Sequence, residues 1–302
     1  MSEEKIGMGW LPDYPDFRDY TMEREEVAPR LKALGEEDSV KAMLAEVGVA
    51  EPEEVSLPGS TNLKEWCSPI EYQGGLGSCT AQAGVGLMEY YERRAFDRHI
   101  DASRLFLYKA TRNLLNWTGD TGAFLRTTMG AMVLFGAPPE VYWPYVIADF
   151  DKEPPAFCYA FAQNYQTIQY FRLDPPFTPK DLLLQRIKLL LRAGLPSMFG
   201  FSVYSSYVQA ADDGRIPYPC PWETGPRGHA VVAVGYDDEI EITNSLCGVK
   251  TTGALLIRNS WGTGWGDSGY GWLPYKYVLE GLAVDWWTLL KSEWVDTGRF
   301  GV

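Results

Sequence analysis

At Leu195 the sequence changes texture, and that change limits the folds open to it more than any other feature. Upstream, the run from Cys79 to about Arg98 carries Ala83, Leu87, Tyr90, Tyr91 and Arg94 at helical spacing with no proline. Similar patterns cover about 103–115, 122–135 and 179–193. Downstream, PSMFGFSVY, HAVVAVGYDD, GALLIRNS and YGWLPYKYV read as strands separated by Gly, Asp and Pro turns. Helices grouped before strands imply an α+β architecture: a helix-rich part (57–195), a β-rich part (196–285) and a cleft between them. A Trp-rich tail (286–302) with Trp286, Trp287 and Trp294 follows, its role open.

Residues 1–56 stand apart. They hold 15 acidic and 6 basic side chains, and so −9 of the net charge of −13, leaving the remainder of the chain close to neutral. The stretch GMGWLPDYPDFRDY, rich in Pro, Asp and aromatics, predicts an extended backbone. Val27, Leu31 and Leu34, then Val40, Met43, Leu44 and Val47, predict two short amphipathic helices broken near Gly35. EPEEVSLPGS (51–60) reads as a linker and the domain boundary.

The acidic balance argues against nucleic acid and anionic membrane surfaces as partners. The N-terminus does not read as a secretory signal, and no apolar run approaches membrane-spanning length. Five scattered cysteines (67, 79, 158, 220 and 247), odd in number and without a Cys-x-x-Cys pair, fit neither a disulfide framework nor a zinc site. They predict reduced thiols, a cytoplasmic location, and no metal or other cofactor. Oligomeric state is not legible.

With only two histidines, any thiol nucleophile that needs an imidazole base must use His99 or His229. His99 falls near the far end of the helix that Cys79 opens, about 30 Å away at 1.5 Å per residue, and so cannot reach. His229 starts the apolar run AVVAVGY, where a strand can present it to a cleft. Gln73-Gly-Gly-Leu-Gly-Ser-Cys79 puts a glycine loop before a helix, so the thiol meets unpaired N–H groups and the positive end of the dipole, which favour thiolate. A glycine-rich helix entry with an inert buried cysteine is the alternative. Downstream, Asn259 ends a strand and could orient His229, with Trp261 covering their hydrogen bond; a Gly/Trp-rich turn packing against the core is the alternative, one that suits Trp265 and Tyr270.

Together, Gln73, Gly-Ser-Cys79, Gly228-His229-Ala230 and Asn259-Ser-Trp261-Gly-x-Gly-Trp-Gly resemble the papain-like cysteine proteases over about 57–285. The resemblance implies a helical left subdomain, a β-barrel-like right subdomain and an active-site cleft between them. It implies Cys79 as nucleophile, His229 as base and acid, Asn259 as the orienting residue, and Gln73 with the Cys79 N–H as oxyanion hole, acting on a peptide or protein substrate. Gly122 resembles the glycine that holds substrate backbone, and Ala123, Phe124 and Ala230 the walls of an apolar specificity pocket. Asn259 stands late, 180 residues after Cys79, which places an insertion at 237–253.

Several positions depart from the family. Thr80 replaces an aromatic residue, Gly228 an acidic one, and Leu76 a cysteine that is normally bridged. With the odd cysteine count, Leu76 predicts that no intramolecular disulfide forms. Residues 1–56 are expected to be an inhibitory prosegment cut between about Ala50 and Leu57, a permanent structural arm being the alternative. A non-catalytic binding protein on the same scaffold and an acyltransferase using the same thiol are the rival functions.

Overall fold

The computed structural model describes residues 7–33, 35–49, 56–165 and 169–302. After the short helices α1 (Pro29–Ala33) and α2 (Val40–Glu46) and strand β1 (Ser60–Asn62) come helices α3 (Cys79–Phe96), α4 (Arg104–Leu114), α5 (Leu125–Phe135) and α6 (Ala156–Ala162). Strand β2 (Gln169–Arg172) and helix α7 (Lys180–Arg192) lead into strands β3 (Ser197–Val203), β4 (Arg227–Thr243), β5 (Lys250–Arg258) and β6 (Tyr270–Pro274). Helix α8 (Tyr275–Leu279), strand β7 (Ala283–Leu290) and helix α9 (Ser292–Val295) complete the chain.

The proline-free run from Cys79 forms α3, the central helix, which packs against β4 on one side and α4 and α5 on the other. The strands form one antiparallel sheet in the order β2-β7-β3-β4-β5-β6, with β1 also paired to β4. From Ala230 to Tyr236 strand β4 is buried at every residue, which is why it reads as a continuous apolar run and not an alternating one. The expected α+β arrangement is present.

Four local expectations are corrected. YGWLPYKYV is not one strand: Pro274, without an N–H to donate, ends β6 and caps α8. The extra stretch 237–253 does not stand between the two strands but lengthens them, since β4 runs on to Thr243 and β5 begins at Lys250. The tail from Trp286 is not an appendage, since β7 straddles that boundary and lies inside the sheet. Trp286 stacks on Phe199 at 3.9 Å between centroids and Trp294 on Tyr91 at 4.7 Å.

The fourth correction concerns the cysteines. Cys220 and Cys247 form a disulfide with Cα atoms 5.9 Å apart, joining the loop after β3 to the turn of the β4–β5 hairpin. Cys67, Cys79 and Cys158 are free and buried. An odd count excludes only complete pairing, and sequence spacing could not show that these two thiols meet in space. The bridge removes the ground on which the sequence placed the chain in a reducing compartment.

Residues 1–56 do not act as one piece. Leu34 and the linker 51–55, which holds most of the expected cleavage stretch, lie outside the described residues. Residues 7–11 lie in the cleft, whereas α2 packs into the body. Val40, Met43, Leu44 and Val47 join the core formed by α3 and the sheet, each worth about 1.5–3 kcal/mol on full burial. Buried Glu36 accepts from Ser292 Oγ at 2.8 Å, and the Val302 N–H donates to the Val47 carbonyl at 3.2 Å. Helix α2 therefore does not lie in the cleft.

Candidate active site

Cys79 is the first residue of α3, and Ser78 before it makes no side-chain cap, so the thiol stands at an uncapped helix N-terminus. His229 comes from the start of β4 and Asn259 from the end of β5, adjacent strands of the sheet. Asn259 Oδ1 lies 2.8 Å from His229 Nε2 and also accepts the Ser260 N–H at 2.8 Å. An atom that accepts from a backbone N–H is the amide oxygen, so the Nε2 facing it carries the proton. Neutral His229 then keeps its lone pair on Nδ1, which is buried and without a hydrogen-bond partner among the described residues. Trp261 stacks over the imidazole at 4.5 Å and covers the Asn259 bond, with Trp265 edge-on behind it. Exposed His99 follows the end of α3.

Gln73 is buried, with its amide fixed from several sides. Its Oε1 accepts the Ser260 hydroxyl at 2.6 Å, and its Nε2 donates to the Leu76 carbonyl at 2.9 Å. The second Nε2 hydrogen reaches the carbonyl of Gly7 at 3.0 Å. Ser260, which sequence reading passed over, thus holds the Gln73 side chain and pins the amide of Asn259. The neighbouring loops are tied by Asp120, which accepts the Gly77 N–H at 3.0 Å and the Tyr108 hydroxyl at 2.6 Å. Tyr108 in turn accepts the Gly122 N–H at 3.0 Å.

The cleft is filled by the chain's own N-terminus. The Gly9 N–H donates to Cys79 Sγ at 3.4 Å, the Gly7 N–H to the Gly74 carbonyl at 2.9 Å, and the Trp10 N–H to the Gly228 carbonyl at 3.3 Å. Ala123 exchanges two backbone bonds with the segment, donating to Gly9 O at 2.8 Å and accepting from Leu11 N at 3.1 Å. The approach depends on glycines: a Cβ on Gly7 would overlap the Leu76 carbonyl, and one on Gly9 the Gly77 carbonyl. Gly122, in a left-handed conformation at φ +72°, gives the same clearance from below. Of the four aromatics expected in the cleft only Trp10 enters. Tyr14 and Phe17 are exposed, and Tyr20 packs on Tyr170.

The expected pocket residues divide. Ala123 supplies the backbone pairing, Gly122 the clearance, and Ala230 a backbone N–H close to Cys79 Sγ. Phe124, an extended residue ahead of α5, turns its ring onto Trp117. The pocket holding Trp10 is not wholly apolar: the indole lies over Gly200 and Gly228 and donates to Asp285 Oδ2 at 3.1 Å. Burial raises the Asp285 carboxyl to about 6, against the pull of Arg172 at 3.3 Å and the indole donors of Trp287 and Trp10. Arg126 holds Asp13 and Asp19 of the segment beside this pocket. Neither Asp285 nor the arginines carried a motif; the Gly7-x-Gly9-Trp10 spacing was the legible sign.

Burial works against the electrostatics expected of a helix-terminal thiol. It pushes the Cys79 thiol up despite nearby N–H groups, and holds His229 down at about 4 despite Asn259. Both groups are neutral here. Among the described residues no cluster of His, Cys, Asp and Glu could hold a metal ion, and no helix is long and apolar enough to cross a membrane.

A thiol at a helix start, an imidazole with its free nitrogen buried in the same cleft, an orienting amide and a carbonyl-binding amide are the parts of acyl transfer through sulfur. The papain family cysteine protease profile matches residues 57–278. The chain belongs to the papain family of cysteine proteases. An uncharacterized peptidase C1-like protein of Acanthamoeba polyphaga mimivirus is 34% identical over 223 residues, covering 72% of this chain and 68% of that protein. Peptidase 1 of the mite Euroglyphus maynei is 27% identical, covering 74% of this chain but only 63% of that protein. Xylellain, a cysteine protease from Xylella fastidiosa, superposes with a TM-score of 0.70 at 30% identity, over 96% of this chain and 98% of that structure. That coverage leaves out about twelve residues, so most of residues 1–56 is included in the match. A ragweed pollen cysteine protease in its proform shares the fold, at a TM-score of 0.57 and 22% identity over 78% of this chain and 66% of that one.

Proposed function

We propose that the chain hydrolyses peptide bonds through a Cys79 acyl-enzyme and is made with its cleft plugged by residues 7–11. The observation that carries this reading is the double contact of the plug. Gln73 Nε2 already donates to a backbone carbonyl, that of Gly7, while Cys79 Sγ meets the N–H of Gly9. A peptide backbone thus occupies the place where substrate would lie, yet the sulfur faces a donor and not an electrophilic carbon.

In the opened cleft, Cys79 Sγ passes its proton to His229 Nδ1 and attacks the carbonyl carbon. The oxyanion is held by Gln73 Nε2 and the Cys79 N–H, both in place before substrate arrives. The imidazolium, stabilised through Nε2 by Asn259 Oδ1, protonates the leaving amine as the C–N bond breaks. Water, giving its proton to His229, then splits the thioester and restores the thiol.

The test is hydrolysis of a short peptide by the full chain with Trp10→Ala, which empties the pocket anchoring the plug. Turnover that exceeds wild type and vanishes when Cys79→Ala is added supports the reading. Turnover that survives Cys79→Ala contradicts it.

A further inference from the structure

The N-terminal 56 residues divide by burial into parts that cannot share one fate. Between Leu11 and Pro29 no residue as a whole is buried, although the Asp19 side chain is covered by its pairs with Arg126 and Arg172: Tyr14 and Phe17 are 88% and 90% exposed, and the side chains of Glu25 and Glu26 are 72% and 86% exposed. From Glu36 onward the pattern inverts. Val40, Met43, Leu44, Val47 and Val49 lie in the same core as α3 and the sheet. Glu36 is tied to Ser292 Oγ and to Gln169 Nε2, the latter at 3.3 Å, Met43 Sδ lies 3.6 Å from Ser292 Oγ, and Val47 pairs with the C-terminal Val302. These contacts reach β2, α9 and the last residue of the chain, and the cleft takes no part in them.

We infer that the activating cut falls between Tyr14 and Pro29, and that residues 36–49 stay in the active enzyme as a permanent buttress under the C-terminus. The inference rests on the plug reading above. The cut is hydrolysis of one amide bond, water supplying the new carboxylate and ammonium ends. The peptidase is one acting from outside, because Cys79 in the same molecule is covered; an opened copy of this chain is such a peptidase. The cut turns the plug from a tethered group into a separate peptide, held by Trp10, the glycine backbone contacts, the pairs of Arg126 and Arg172 with Asp13 and Asp19, the Arg172 backbone N–H on the Tyr20 carbonyl at 2.7 Å and the Arg186–Glu23 pair, and lost on dilution. A cut in the linker at 51–55 would leave both the plug and α2 attached to one another and to the body through the core contacts.

The test uses the full chain with recognition sequences for a site-specific protease inserted after Glu26, after Glu53, or at both. Binding is read in a Cys79→Ala background, which prevents self-cutting, and activity in the chain that retains Cys79. After the first cut, residues 1–26 should separate from the body on gel filtration, and peptide hydrolysis should rise. After both cuts, residues 27–53 should still elute with residues 54–302 and unfold with them in one transition. Residues 1–26 remaining bound would overturn the placing of the cut. Release of 27–53 from a body that keeps its unfolding temperature would overturn the buttress, whereas aggregation of the body on that release would support it. Loss of 1–26 without a rise in hydrolysis would count against the plug reading alone, since retention is judged by elution. In self-processed protein the first residue should lie between 15 and 30, and one beyond 50 would contradict the inference.

Discussion

Gln73 shows how much of this site is legible one residue at a time. Standing six residues before the thiol, it was implied as an oxyanion donor by the resemblance to the papain family. Its aim is set by Ser260, a contact across 187 positions that local pattern cannot reveal. In opened enzyme Gln73→Ala should lower kcat on the order of 10²-fold. A change confined to KM would contradict the role. Gly9→Ala in the full chain should raise hydrolysis without processing, because the added methyl cannot fit against Gly77; activity no higher than wild type would remove glycine as the reason the plug fits. The pH dependence follows from two buried groups. His229 is held at about 4, so the plugged state loses stability as pH falls from about 6.5 towards 4, where the open state can take up a proton. Asp285 is raised to about 6, so it opposes this: its protonated form suits the plugged state, and the benefit is lost as pH rises through 6. Asp285→Asn should therefore make acid opening, followed by alkylation of Cys79, steeper. An unchanged profile would show that Asp285 does not respond to the plug.

Elements were legible where their period was unmixed. Helix α3 and the buried start of β4 each show a single spacing, and both are found where the sequence put them. YKYV was misread because aromatic and β-branched residues suit either a strand or a short helix, and the decision is made by Pro274 ahead of it. Residues 237–253 read as an insertion between two strands because Asn259 comes late after Cys79; the extra residues instead lengthen β4 and β5, which pair as far as Thr243 and Lys250. The bridge at the tip of that hairpin closes a loop of 27 residues and is worth about 3.5 kcal/mol on chain-entropy grounds. Cys220→Ser should lower thermal stability in oxidised protein by a comparable amount and have no effect in reduced protein. Non-reducing mass mapping that finds Cys220 and Cys247 both free would contradict the bridge.

At the scale of the molecule, the α+β division was visible from the change of texture at Leu195, and the family from four ordered motifs. The use of the N-terminal segment was not. Composition marked it as acidic and separate, but whether a short amphipathic helix lies in a cleft or in a core depends on which surface it meets, and the sequence holds no record of that surface. The account's central claim is that Cys79 is a catalytic thiol kept neutral and covered by residues 7–11. The direct measurement is the rate at which iodoacetamide alkylates Cys79, located by mass spectrometry, in the intact chain and in the chain cut after Glu26. The account predicts slow labelling in the intact chain and fast labelling after the cut, with hydrolysis lost in proportion to the label. Equal rates in the two forms, or hydrolysis that persists in fully labelled protein, would contradict it.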